Sequence, residues 1–135
     1  MQQNHPFLNP SFVPEWSGLK AEHVVPDVER ALEAGSRALA AIEAVPDGRE
    51  TLANTFIALE DASEIVSRPW RRVTHLNAVN DHPELRKAHR KALPGVSAFF
   101  SAIPLNPVLY RKLRNFRDSP ACQKLDAVEK RFVEE

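Results

Sequence analysis

From residue 28 onward, apolar side chains return at alternating steps of four and three: Val28, Leu32, Gly35, Leu39 and Ile42. That spacing lays one apolar stripe along a helix turning every 3.6 residues and leaves the charged positions between for solvent. Pro26 fits such a helix only in its first turn, which places the start near residues 22 to 25, where His23 can form part of a cap. The turn Pro46-Asp47-Gly48 stops it. A second stripe, Leu52, Phe56, Leu59, Ala62 and Val66, follows after a short connection, so the first two helices are expected to be antiparallel neighbours. Pro69 is expected to interrupt or kink the second helix. Trp70, Val73, Leu76 and Val79, at steps of three, then form a short helix ended by Asn80-Asp81-His82-Pro83.

Asp81 is placed to cap a fourth helix with Pro83 in its first turn, and Leu85, His89, Ala92, Val96, Phe99 and Ile103 give that helix a buried face. Pro94 lies inside it and predicts a kink near residues 90 to 93. Pro104 closes the helix, Asn106 caps a fifth with Pro107 at its first position, and Leu109, Leu113 and Phe116 form its apolar side. Ser119 with Pro120 repeats the arrangement for a sixth, in which Leu125, Val128 and Phe132 are still periodic at residue 135 without a stop signal. The chain is therefore expected to be cut within a helix. Over residues 1 to 19, Pro6, Pro10 and Pro14 forbid helix while Phe7, Phe12 and Trp16 supply apolar anchors. The expectation is an all-α fold of about six helices in an antiparallel, bundle-like array, with an extended arm (1–19) packed on a helical domain (20–135).

A chain of 135 residues has the length of one domain and buries an ordinary core. Its single cysteine, Cys122, excludes an intrachain disulfide framework. Neither a signal-peptide segment nor an apolar run of about eighteen residues is present, and a reducing, cytoplasmic location with no membrane partner is expected. Charge changes the picture more. Residues 1 to 67 carry four basic and eleven acidic side chains, and residues 68 to 117 carry eleven basic and two acidic ones. Antiparallel acidic and basic helices facing one another would account for this division. The alternative is a cationic strip, Arg68, Arg71, Arg72, Arg86, Lys87, Arg90, Lys91, Arg111, Lys112, Arg114 and Arg117, that binds nucleic acid or an acidic partner. Aromatic residues interleave with it only at Trp70, Tyr110 and Phe116, and no nucleic-acid-binding motif accompanies it.

Candidate chemistry is sparse. A zinc-peptidase helix needs H-E-x-x-H, two imidazoles one turn apart with a glutamate as general base. The histidines are His5, His23, His75, His82 and His89, and the residues four places later are Asn9, Asp27, Val79, Arg86 and Leu93, so none fits. Pro83 breaks the sevenfold spacing of His75, His82 and His89, and His75 is expected to be a packed histidine bonded to a neighbouring helix or backbone. The four glycines are too scattered for a phosphate-binding loop or a nucleophile elbow. Glu60, Asp61 and Glu64 read as a solvated face, and Cys122 as a buried or spectator thiol. No catalytic, cofactor-binding or metal residue is assigned to this chain.

The segment Thr74-His75-Leu76-Asn77-Ala78-Val79, followed by Glu84-Leu85-Arg86-Lys87-Ala88 and Leu93-Pro94, resembles the thimet oligopeptidase and oligopeptidase A family of zinc metallopeptidases. The likeness extends to Asn9-Pro10, Pro14-Glu15-Trp16, Glu22 to Pro26, Asn106 with Leu109-Tyr110, and Val128 to Glu135; Ala21 and Thr74 depart from the residues common at those places. The resemblance implies a long helical enzyme with a deep channel, whose zinc is bound by H-E-x-x-H and a downstream glutamate and which cleaves short peptides. This chain is then expected to be its amino-terminal, channel-shaping (gating) part, inactive alone. His75, Leu76, Asn77, Glu84, Leu85, Arg86, Leu93 and Pro94 are expected to be structural signature residues. The implied partners are the missing catalytic portion, which holds zinc, and short peptide substrates. An apolar face at Leu125, Val128, Phe132 and Phe99 or Phe100 is expected to lack cover and to drive self-association. The alternative from another class is a free-standing helical interaction module that uses the basic strip.

Overall fold

The computed structural model describes residues 5–8, 20–79 and 82–134. A 3-10 turn, Pro6–Leu8, precedes helix α1 (Ala21–Glu43); a π turn, Ala53–Ile57, leads into α2 (Ala58–Val79). Then come α3 (Pro83–Ala102), α4 (Pro107–Arg117), a single turn α5 (Pro120–Gln123) and α6 (Ala127–Glu134). The fold is all-α, with six helices among the described residues. The predicted arm falls largely on residues 9–19, outside the described set.

Helices α1, α2 and α3 form the main layer. A Cβ at Gly35 of α1 would lie 2.8 Å from Val66 of α2 and 3.0 Å from the Phe99 ring of α3, so all three backbones converge there. Leu32 meets Gly95 four residues earlier on α3, which makes α1 and α3 parallel. Helix α2 runs back against α1, which lies at the centre of the layer, and reaches α3 through Trp70, stacked on His89 at a centroid distance of 4.8 Å. The core comprises Phe7 from the N-terminal turn, Val24 and Val28 from α1, Val66, Val73 and Leu76 from α2, and Leu85, Ala92, Val96 and Phe99 from α3. Removing that much apolar surface from water is the main favourable term in holding the layer together. A second contact closes the far end: Phe56, presented by the π turn, meets Phe116 of α4 at 6.0 Å and Phe132 of α6 at 6.4 Å, both edge to face.

The number of helices matches expectation, but their division differs. Pro69 does not separate a second helix from a third, because α2 is continuous from Ala58 to Val79 with Pro69 buried inside it. Helix α1 begins at Lys20 as N-cap, so Pro26 lies beyond its first turn, and α3 runs through Pro94. Each of these prolines removes one backbone donor. Pro26 and Pro94 are exposed, so the carbonyls one turn before them can be solvated. The expected sixth helix breaks at residues 124–126. There Asp126 and Glu129 form a reciprocal cap: Glu129 N–H donates to Asp126 Oδ1 at 2.8 Å and Asp126 N–H to Glu129 Oε2 at 3.3 Å.

Caps were partly legible. Asn106 Oδ1 accepts from the N–H groups of Val108 and Leu109, as its place before Pro107 predicts. The predicted cap Asp81 lies outside the described residues, and the N-cap of α3 is His82, whose Nδ1 accepts from Glu84 N–H at 3.2 Å. Ser119 makes no cap bond; its hydroxyl donates backward to Phe116 C=O. His23 is not part of a cap either, since its Nδ1 is buried without a hydrogen-bond partner among the described residues. No single described helix is long and apolar enough to cross a membrane; the bent α3–α4 pair reaches that length only when both are taken together.

Candidate functional site

The signature residues sit on the α2–α3 hairpin and divide by burial. Leu76 and Leu85 are in the core. His75, Glu84, Arg86, Leu93 and Pro94 are exposed, and Asn77 is half-buried with its Oδ1 enclosed and unbonded among the described residues. His75 is thus not the packed histidine expected, because the helix turns Leu76 inward and His75 outward; it retains a polar or ring contact. Val79, assigned to the apolar stripe, is 66% exposed at the end of α2.

A cluster that the sequence did not disclose binds the N-terminal turn to the bundle. Asp27 of α1 is fully buried. Its Oδ2 accepts from Phe7 N–H at 2.9 Å, and its Oδ1 lies 2.5 Å from His5 Nδ1. From α2, Arg72, also buried, donates to Phe7 C=O at 3.2 Å. Both backbone polar groups of one residue are thereby held, the N–H by a carboxylate and the C=O by a guanidinium, while the Phe7 ring fills the core between them. Burial lowers the Arg72 pKa, and repulsion from Arg68 adds to it; a guanidinium stays charged nonetheless. Asp27 follows Pro26 and looks like an ordinary first-turn acid. The signal available in sequence was its place in the stripe, one step before Val28 and three after Val24.

The charge asymmetry resolves into local pairs. Lys112 of α4 is buried and reaches Asp47 Oδ1 at 2.7 Å, with Arg111 3.8 Å from the same oxygen. Asn115 donates to Asp47 and to Glu50, at 3.2 Å and 2.9 Å. The bond and charge of Lys112 hold Asp47 below the usual carboxylate range, and the Asn115 bond does the same for Glu50. Arg68 and Arg71 turn to Glu64 within α2, and Arg114 and Arg117 to Asp118. The strip read from sequence is therefore divided, and only Lys87, Arg90 and Lys91 of α3 stand exposed without a carboxylate partner among the described residues. Lys87 and Lys91 line a cleft of about 640 Å³ with Lys20, Glu22, His82 and Glu84.

Catalytic and metal constellations are not assembled among the described residues: no group of three or more His, Cys, Asp or Glu side chains converges on a point. What the hairpin, the buried knot and the paired α4 face provide is a packed helical slab whose specific residues are shared between core and surface. Comparison with known proteins says what kind of slab it is. A family model described as the neurolysin/thimet oligopeptidase N-terminal domain matches residues 28–135.

The chain belongs to that family.

Oligopeptidase A of Salmonella typhimurium is 32% identical over 135 residues, covering 96% of this chain and 19% of the relative. Oligopeptidase A of Escherichia coli is 30% identical, with the same coverage of both chains, and that of Haemophilus influenzae is 26% identical over 99% of this chain. The chain spans about a fifth of the length of these curated relatives. In this oligopeptidase N-terminal domain, the family match begins at Val28, inside α1, whereas the buried face of that helix already includes Val24 and Asp27. His5, Phe7 and Asp27 of the knot thus precede the matched region, Arg72 lies within it, and together they complete the same core.

Proposed function

We propose that this chain is the substrate-channel, or gating, domain of a zinc-dependent oligopeptidase that hydrolyses short peptides in the cytoplasm, and that it supplies shape and no catalytic group. The observation that carries this is the family match over 28–135, joined to relatives that are named oligopeptidases and of which this chain corresponds to 19%. The absence of H-E-x-x-H from the sequence agrees with it. In such an enzyme the residues that would hold zinc lie in the remaining portion, where the metal would supply water activation. The domain's part is to stand as a wall, for which a close-packed three-helix layer is suited because packed interiors resist deformation. Residues 1–19 would act as an arm on this domain, a role supported by the complete burial of Phe7. Glu84, Leu93 and Pro94, exposed on α3, are then available to neighbouring parts of the enzyme.

The test is hydrolysis of a quenched fluorescent oligopeptide with zinc present, using this chain alone, a separately produced H-E-x-x-H portion alone, and the two mixed. Channel assembly requires that this chain be silent and that mixing raise the activity of the other portion. Chelator-sensitive hydrolysis by this chain alone would overturn the proposal.

A second proposal, a free-standing module for a polyanionic partner, draws on the unpaired Lys87, Arg90 and Lys91 alone. Binding of this kind releases counterions and must weaken steeply as salt rises. A nucleic-acid titration with no binding at low salt would remove it. Self-association through the apolar end of α6 has less support, because Phe132 packs on Phe56 and Phe99 is buried against Phe100. Leu125, half-buried, and Val128, 78% exposed, are what remain of the expected face.

A further inference from the structure

Along the side of α3 turned away from the core, Lys87, Lys91, Pro94, Ala98 and Ser101 recur at steps of four and three, and Leu105 continues the row in the turn beyond. All six are exposed. The character of the row changes part-way: residues 92–110 contain no Asp, Glu, Lys, Arg or His, in a chain of which 27% is charged, so the second half of this face offers water nothing ionic. Leu93 and Pro94, two of the residues on which the family resemblance rests, stand exposed here and do not serve the core. Leu105 is 81% exposed, more than any other large apolar side chain among the described residues. It is also held in place. Its N–H donates to Ala102 C=O at 3.2 Å, and the next residue, Asn106, caps α4 while its side-chain amide donates to Glu43 of α1 at 2.7 Å. A leucine already fixed outward loses little freedom when it is covered, and exposed apolar surface of this kind marks a contact site.

The charges at its margin narrow what covers this face. Nucleic acid gains nothing from residues 93–105. A second copy of this chain is disfavoured, because a two-fold antiparallel pairing about Ala98 brings Lys87 and Lys91 of one copy toward the start of α4 and Arg111 of the other, cation against cation. A bilayer is disfavoured as well, since α3 and α4 meet at a bend of 43° and Ser97 and Ser101 interrupt the apolar positions. A helix that is apolar along its middle and carries carboxylates at one end satisfies both halves. It packs on Pro94, Ala98 and Leu105, and it pairs with Lys87, Arg90 and Lys91, which have no carboxylate partner among the described residues. The relatives extend far beyond the 19% that this chain matches, so a partner of that kind has a source. We propose that the face of α3 from Lys87 to Leu105 is where a helix of the remaining portion of the oligopeptidase docks, its apolar side on Pro94, Ala98 and Leu105 and its acidic end on Lys87 and Lys91. This rests on the gating-domain reading and adds to it the surface and the chemistry of the contact.

The experiment mixes the isotope-labelled chain with the separately produced H-E-x-x-H portion and reads two things, hydrolysis of the fluorescent peptide and the amides of this chain that lose access to solvent. The parent chain should raise hydrolysis, with protection centred on residues 87–105. Ala98→Glu, which sets a carboxylate in the apolar middle, should weaken association by about a hundredfold, because a buried charge without a partner is strongly disfavoured. Leu105→Ala, which only shortens the anchor, should weaken it by about tenfold. Lys87→Glu with Lys91→Glu should slow association and remove its dependence on salt. Arg37→Glu, on the groove between α1 and α2, should leave it unchanged. All of these positions are exposed, so the variants should keep the parent spectrum when alone. If the parent raises hydrolysis while protection lies elsewhere, or while Ala98→Glu and Leu105→Ala associate as the parent does, the docking face is overturned and the gating reading stands. If the parent neither associates nor raises hydrolysis, the gating reading falls and this proposal with it. Co-sedimentation of the chain alone with anionic vesicles, or a dimer of it that Ala98→Glu dissociates, would give the face another occupant and also overturn the proposal.

Discussion

At Gly35, two opposing effects of one methyl group can be weighed against each other. Replacing glycine by alanine inside a helix ordinarily stabilises by up to about 1 kcal/mol, through backbone entropy. Here the added Cβ would stand 2.8 Å from Val66 Cγ2 and 3.0–3.1 Å from two atoms of the Phe99 ring, so α1, α2 and α3 would have to separate. Forcing a methyl into a packed core costs about 1–3 kcal/mol, and the net change should be destabilising. Gly95→Ala is the control: it is exposed and meets only Leu32 Cδ1, the end of a flexible side chain, at 3.0 Å. Urea denaturation midpoints should fall for Gly35→Ala and stay level or rise for Gly95→Ala; equal shifts in both would show that convergence at Gly35 does not limit the packing. Gly35 was legible as a stripe residue because periodicity alone assigns it to the core. Asp27 was not, since its partners His5 and Phe7 lie some twenty residues away and only the folded chain brings them to it.

At the scale of elements, the connection after α1 depends on charge more than on apolar contact. Lys112 is buried while its partner Asp47 is largely exposed, so the lysine's charge relies on that one carboxylate for compensation. Asp47 and Glu50 both have folded-state pKa values lowered from their ordinary 3.8 and 4.5. Groups of this kind contribute stability that is fully present above the ordinary value and is lost as pH falls through the lowered one. Denaturation midpoints should therefore hold above about pH 5 and decline below about pH 4, and in Asp47→Asn the decline should be shallower. An acid profile identical in the variant would remove this pair from the account. The contribution is modest because exposed carboxylates are screened. The same elements show why stripes were legible when boundaries were not. Leu109, Phe116, Leu85 and Val96 are buried where periodicity put them, because burial follows the 3.6-residue turn. Pro69 was expected to interrupt or kink the second helix; packing of Val66, Val73 and Leu76 on both sides of it keeps one uninterrupted helix, as tertiary context outweighs a single missing donor.

Across the whole molecule, packing is graded from α1–α3 outward. The buried cluster joins the N-terminal turn to those three helices, whereas α6 is attached chiefly through Phe132 on Phe56 and through buried Val133. Local opening is easiest where few apolar contacts must be broken, so resistance to hydrogen exchange should follow the same gradient. Amides of α5 and α6 should exchange before those of α2 and α3, with the middle of α1, from Val28 to Gly35, slowest. Phe132→Ala should accelerate α6 further and leave α1 and α3 unchanged, because its ring meets Phe56 of the π turn and not the main cluster. Uniform protection along the chain, or acceleration of α1 by Phe132→Ala, would mean that the domain opens as one unit and that the second aromatic contact is part of the main core. The graded outcome would fit a domain whose α1–α3 layer holds its shape by itself and whose α5–α6 end adapts to what it adjoins.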